Sequence, residues 1–311
     1  MLVNDTWRSR MIKWLYKYRY LHLMAIPGLL YFIVFKYLPM YGIIMAFKNF
    51  KGTGGFAGIW NSDWVGLLHF RNFFGGLFFW RLLRNTLILS GLRLSIGFVA
   101  PIILALLINE VRRTFTKRFI QTVTYMPHFI SWVVVAGIIV TLCSPSEGPI
   151  NYVLKTIGLQ PIFFVSNPRY FRSLLVISDI WKNVGWGTII YLAAITGIDP
   201  GYYEAATIDG ATKWNKIWHI TLPSIREIIA ILFILAVGSV LEQNFDQIFN
   251  LYSPAVYEVA DVFDTYVYRS GIAGTQYSFT TAVGLFKSTV ALLLIAISNF
   301  TAKRLGSEGL W

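Results

Sequence analysis

The chain has 311 residues, is 56% hydrophobic and 14% charged, and carries a formal net charge of +12 at pH 7. Soluble domains carry roughly 25% charged residues, so an ordinary water-exposed domain is excluded; the apolar residues come in long blocks instead. The basic excess does not point to nucleic acid, because much of it flanks those blocks, where the positive-inside rule places Lys and Arg. The single cysteine, Cys143, rules out an internal disulfide framework and a CxxC-type zinc site, and is expected to pack as a small apolar group.

A membrane-crossing helix needs about 20 mostly apolar residues. Six such stretches occur, at 22–44, 85–108, 119–142, 173–195, 228–249 and 279–300. They predict an all-α polytopic membrane protein, a single transmembrane domain over 1–311, embedded in lipid. The first span lacks a small-residue cleavage site and is read as uncleaved. Arg8, Arg10, Lys13, Lys17 and Arg19 precede it; Arg112, Arg113, Lys117 and Arg118 follow the second span; Lys303 and Arg304 follow the last. Six spans put all three groups on one side, and the charge rule makes that side the cytoplasm, with both termini there. The loop at 48–80, rich in glycine and carrying Phe56, Trp60 and Trp64, then lies at the outer membrane interface.

The longest inner connection, 198–226, reads as a compact knob. Asp199 followed by Pro200 is a helix start, an N-cap carboxylate before a residue of suitable fixed φ. A short helix over 202–208, a turn at Asp209-Gly210 and a second helix over 211–220 follow, and Pro223 leads the chain into span five. Small residues at Ala205, Ala206 and Gly210 would let a partner's backbone approach closely.

This knob carries Glu204-Ala205-Ala206, Gly210, Ile220 and Leu222-Pro223, with Asp209 and Ala211 flanking the glycine. Seven positions at that spacing resemble the cytoplasmic motif of permeases from the ATP-binding-cassette importers. GLLYFIVFKYLPMYGIIMAFKNF, NEVRRTFTKRFIQTVTYMPHFISWVVVAGI, DTYVYRSGI and the terminal GLW extend the resemblance to LplB-like polysaccharide permeases, within the maltose-permease-related group. The resemblance implies a bacterial inner-membrane subunit working beside a second homologous permease, two ATPase subunits and an external solute-binding protein. ATP and Mg would be bound by those ATPases and no cofactor by this chain. The 204–223 segment would be the coupling helix seated in an ATPase groove.

Charged groups inside a membrane are costly and so usually face a cavity or a partner. Lys36, Arg93, Asp179, Lys182, Glu242, Asp246 and Lys287 fall inside the spans. With Trp181, Asn183, Trp186, Gln243 and Asn244 they suggest a polar cavity, in which aromatic rings stack on a sugar and amides bind its hydroxyls; Arg93, Trp181, Lys182, Asn183, Trp186, Gln243, Asn244 and Asp246 are the candidate pathway residues. Asp179 and Lys182, at i,i+3, equally suit a structural ion pair. Outside the cytoplasmic segments basic residues outnumber acidic ones by five, which leans toward an acidic oligosaccharide such as a uronate.

No phosphate-binding loop is present: the nearest match, 284–289, lacks the glycine before Lys287 and lies inside span six. His22, His69, His128 and His219 show no metal-ligand spacing, and no Gly-x-Ser-x-Gly elbow appears. Two other classes compete. An ion-coupled secondary transporter predicts repeats with matching broken helices, which the sequence does not display, and a membrane enzyme of lipid-linked sugars predicts an acid/base or metal constellation.

Overall fold

The computed structural model describes residues 7–242, 244–304, 306 and 309. Among these the only β pairing is a bridge of Lys48 to Trp64, and helices form nearly everything else. This is the expected result in lipid, where every backbone polar group must be satisfied within its own segment.

Among the described residues, three helices are long and apolar enough to cross a membrane: Arg19–Phe47, Phe79–Asn109 and Tyr277–Arg304. Two more candidates exist only as bent pairs, Thr114–Phe129 with Trp132–Leu142 at 101° and Lys213–Ser224 with Arg226–Gly238 at 63°. The central helix, Pro168–Thr196, is long enough at 29 residues but is interrupted by Asp179, Lys182 and Asn183. Its start is well specified: the Asn167 side chain accepts from the Arg169 amide, with Pro168 at the first helical position.

Two predicted spans are not continuous helices. The stretch 119–142 breaks after Phe129, where Ile130 and Ser131 are extended and the Ser131 hydroxyl caps the next helix at Val134. Pro127 lies in the turn before the break and can donate no backbone hydrogen bond there. The stretch 228–249 ends its first helix at Gly238 and resumes at Phe245. Glu242 and Asn244 lie between these helices, so the single helix expected over 228–249 is not formed. Gly238 itself lies against Ile295 of the last helix; an added Cβ would sit 2.4 Å from that side chain.

The central helix is the hub of the packing. At Gly185 it meets the Thr124 carbonyl so closely that a Cβ would approach it to 2.1 Å, and at Gly187 it meets Pro101. Towards its C-terminal end Tyr191, Leu192 and Ile195 pack with Ile102, Ala105, Ile108 and Ile225. Towards its N-terminal end Phe171 and Leu175 pack with Leu89, Ala136, Ile248 and Cys143, which is buried as expected. A third cluster gathers Phe73, Leu82, Leu241, Phe263 and Val283. By contrast, no residue of Arg19–Phe32 is buried in its own chain.

Candidate substrate cavity and coupling loop

Asp179, Lys182, Asn183 and Trp186 stand at i, i+3, i+4 and i+7 on the central helix and so share one face. Around Asp179 the structure gathers groups from three elements. Arg93 Nε lies 3.7 Å from Asp179 Oδ2, while Asn183 and Asn244 donate to Oδ1 at 2.8 and 3.4 Å. Arg93 Nη1 also donates to the Glu242 carbonyl at 3.3 Å, across the gap in the broken 228–249 stretch. Ser90, Arg93, Gly97, Asp179, Ser239 and Val240 are among the residues enclosing a cavity of about 170 Å³ beside this cluster. Three amide or guanidinium groups on one carboxylate give a polar surface able to both donate to and accept from a hydroxylated ligand.

Lys182 has a different role from its neighbours. Its side chain is buried, and Nζ donates to the carbonyls of Pro127, His128 and Ile130 at 3.2, 2.6 and 2.6 Å. All three ammonium donors are therefore committed to carbonyls around the bend after Phe129. The ammonium also lies 5.6 Å from the Trp132 ring centre. No ion pair joins it to Asp179 among the described residues, so the i,i+3 pair allowed by the sequence is not formed.

The remaining candidates divide. Trp186 stacks on His128, with ring centres 4.6 Å apart and planes 2° from parallel, and His128 Nδ1 is 3.0 Å from Asn183 Oδ1. His128 thus joins the cluster although its spacing gave no hint of it; the contact spans 55 residues and has no local signal. Trp181 points elsewhere, into an apolar groove with Ile138, Leu142 and Ile177. Asp246 opens the short helix Phe245–Leu251 with an exposed side chain, outside the cluster. Gln243 lies outside the described residues.

The 198–226 knob has the expected shape, with its second helix displaced. Asp199 Oδ1 accepts from the Gly201 amide at 2.9 Å and caps the helix Pro200–Ile208. That helix ends in a Schellman arrangement: Ala211 N–H donates to the Ala206 carbonyl and Gly210 N–H to that of Thr207. Gly210 has φ of 73°, the left-handed conformation that disfavours a side chain. Thr212, not Ala211, starts the next helix, its hydroxyl accepting from the Asn215 amide, and that helix runs on to Ser224 through Ile220, Leu222 and Pro223. Tyr203 with Thr221 and Lys216 with Thr207 tie the two helices together at 2.9 and 2.6 Å. Leu222 anchors the knob in the cluster of Ile195 and Ile225. Glu204, Ala205, Asp209 and Gly210 are exposed and Ala206 half-buried, beside the exposed Tyr202, Ile208, Trp214 and Trp218.

Residues 97–307, which include the knob and the Asp179 side of the cavity but not Ser90 and Arg93, match the family described as binding-protein-dependent transport system inner membrane component. The chain belongs to this family. This permease is a transport component rather than an enzyme, and the two bent helix pairs, a feature that secondary transporters also show, belong here to an importer subunit. It is 46% identical over 304 residues to the polygalacturonan/rhamnogalacturonan transport system permease protein YteP of Bacillus subtilis, covering 98% of this chain and 94% of that one. Protein LplB of the same organism is 48% identical over 293 residues, 94% of this chain and 91% of its own. Among solved structures, a chain of a bacterial ABC transporter involved in the import of the acidic polysaccharide alginate superposes with a TM-score of 0.88 at 43% identity, covering 96% of this chain and all of the other. A second structure, that of an alginate ABC transporter in complex with alginate pentasaccharide-bound periplasmic protein, gives the same score at 41% identity.

Proposed function

We propose that this permease forms half of the membrane pathway of an ATP-driven importer for acidic oligosaccharides. It works with a second permease, two ATPase subunits that hold ATP and Mg, and an external solute-binding protein. Six spans place both termini in the cytoplasm; the two bent pairs and the central helix make up the number beyond the three unbroken apolar helices. The chain is one transmembrane domain, and the segment 198–226 within it docks on an ATPase.

The observation that carries the substrate reading is Arg93 beside the cavity. Its side chain is 39% exposed and its Nε meets Asp179 only at 3.7 Å, while two amides already hold the other oxygen of that carboxylate. Donors therefore remain for a sugar carboxylate, and Arg presents them in the planar fork that suits one. The acidic substrates named for YteP and for the alginate importers support the same chemistry.

The test is uptake into proteoliposomes holding the whole complex, fed with oligogalacturonate or with a neutral maltooligosaccharide of equal length on suitable binding proteins. Acidic cargo should drive ATP hydrolysis and uptake several-fold faster than the neutral cargo. Arg93→Gln should slow that uptake about tenfold, the equivalent of about 1.4 kcal/mol, with the ATPases still bound. Equal handling of neutral cargo by the wild-type complex would sink the acidic reading.

A further inference from the structure

Beyond the cavity, a second set of charges gathers where the N-terminal ends of the helix Phe79–Asn109 and the central helix meet the segment 257–269. At its centre is Asp261, fully buried. Arg269 grips both oxygens of its carboxylate, at 2.7 and 3.2 Å, and Arg81 Nη2 reaches Oδ2 at 3.2 Å. Arg172 donates to Asn85 Oδ1 and to the Val259 carbonyl, and Asn85 in turn donates to the carbonyls of Glu258 and Asp261. Arg84 adds a bond to the Glu258 carbonyl at 3.2 Å. Four guanidiniums thus surround two acidic residues.

The uses of these arginines differ. Arg269 and Arg172 are committed, one to a buried carboxylate and one to an amide and a carbonyl. At Arg269 burial acts to lower the pKa, but its hydrogen bond and charge contact with Asp261 outweigh that and raise it. Arg81 and Arg84 are less fully used. They stand at i,i+3, where like charges repel, and among the described residues each makes one polar contact for five N–H donors. Arg81 Nε is buried without a partner among the described residues, and the Arg81 guanidinium lies 4.7 Å from the centre of the exposed Phe78 ring. Unspent guanidinium donors beside an open aromatic face match the two faces of a uronate, its carboxylate and its apolar ring.

We propose that Arg81 and Arg84, with Phe78, form an outer receiving site for the carboxylates of an acidic oligosaccharide, ahead of the cavity at Arg93. This site rests on the acidic-substrate reading above, and it names residues that the cavity does not contain. Asp261 and Arg269 are its frame rather than its contact surface.

The experiment uses the reconstituted complex with saturating binding protein, loaded either with oligogalacturonate or with its methyl ester, which keeps the rings and length but removes the charge. Arg84→Gln and Arg81→Gln should each cut the maximal uptake of the acid about tenfold, leave the ester within about twofold, and leave the half-saturating binding-protein concentration unchanged. Arg84→Lys should recover most of the loss. Uptake of the acid undiminished in both Gln variants overturns this site while leaving the substrate reading standing. Equal loss for acid and ester, or a shift only in the binding-protein requirement, assigns the arginines to lipid or to protein docking and overturns it too. Wild-type complexes that fail to take up the acid overturn the substrate reading, and this site with it.

Discussion

Lys182 shows how a residue can have the right chemistry for a pathway and still be occupied elsewhere. A buried ammonium surrounded by three carbonyls has no donor left for a ligand, and removing it leaves those carbonyls without their charged partner. Lys182→Met should therefore lower the thermal unfolding midpoint of the purified complex by several degrees, reflecting a loss of about 2–4 kcal/mol, and Lys182→Arg should recover part of it. Asp246→Ala should change neither stability nor transport by more than a small factor, since that exposed side chain sits outside the cluster. A transport defect without destabilisation in Lys182→Met would return this residue to the pathway. Trp181, grouped with this face in the sequence, is excluded from it by the helical period, because a residue two places from Asp179 lies on another side of the helix. The pairing of His128 with Asn183 had no such local signal.

At the level of elements, the knob was legible almost residue by residue. Its cap, its turn and its glycine are local chemistry, decided within a few positions of each other, so a sequence can state them. The bends were not legible, because their causes are distant. The apolar run through 119–142 reads as one helix, and the lysine that satisfies its exposed carbonyls arrives from more than 50 residues away. The break after Gly238 had a local warning in the polar run 239–246, which was read as cavity lining within a continuous helix. The knob yields the sharpest element-scale prediction. No atom lies within 4 Å of a Cβ built on Gly210, so Gly210→Ala meets only the strain of a positive φ, about 1 kcal/mol. It should keep most ATPase binding. Gly210→Trp adds bulk to the exposed turn and should abolish co-purification of the ATPases or uncouple hydrolysis from uptake, while the membrane part still inserts. Glu204→Ala should weaken binding more mildly, by removing one potential charged contact. Full retention of binding and coupling in Gly210→Trp would show that this loop is not the docking element.

Over the whole molecule, the proposed orientation rests on a few basic segments. Single cysteines at Thr116 and Lys303, in a Cys143→Ser background, should resist an impermeant thiol reagent in intact cells. Cysteines at Ser62 and Ser146 should be labelled. Labelling of the first pair from outside would invert or break the six-span arrangement. Most elements pack against the central helix or against the Tyr277–Arg304 helix, but the first long helix largely does not. From Arg19 to Met40 every side chain is exposed except half-buried His22, and close packing against the Tyr277–Arg304 helix begins only with the turn Tyr41–Phe47. A helix can be stable in a bilayer before it associates with others, so this one is finished as soon as it has been synthesised and waits for nothing downstream. Assembly in two acts is therefore the expectation: an anchor that enters the lipid alone, and a body that folds later, much of it around Pro168–Thr196. Between those acts the anchor carries an unclaimed apolar surface the length of a membrane, and a chain left without its companions would display that surface to whatever surveys the bilayer for orphans.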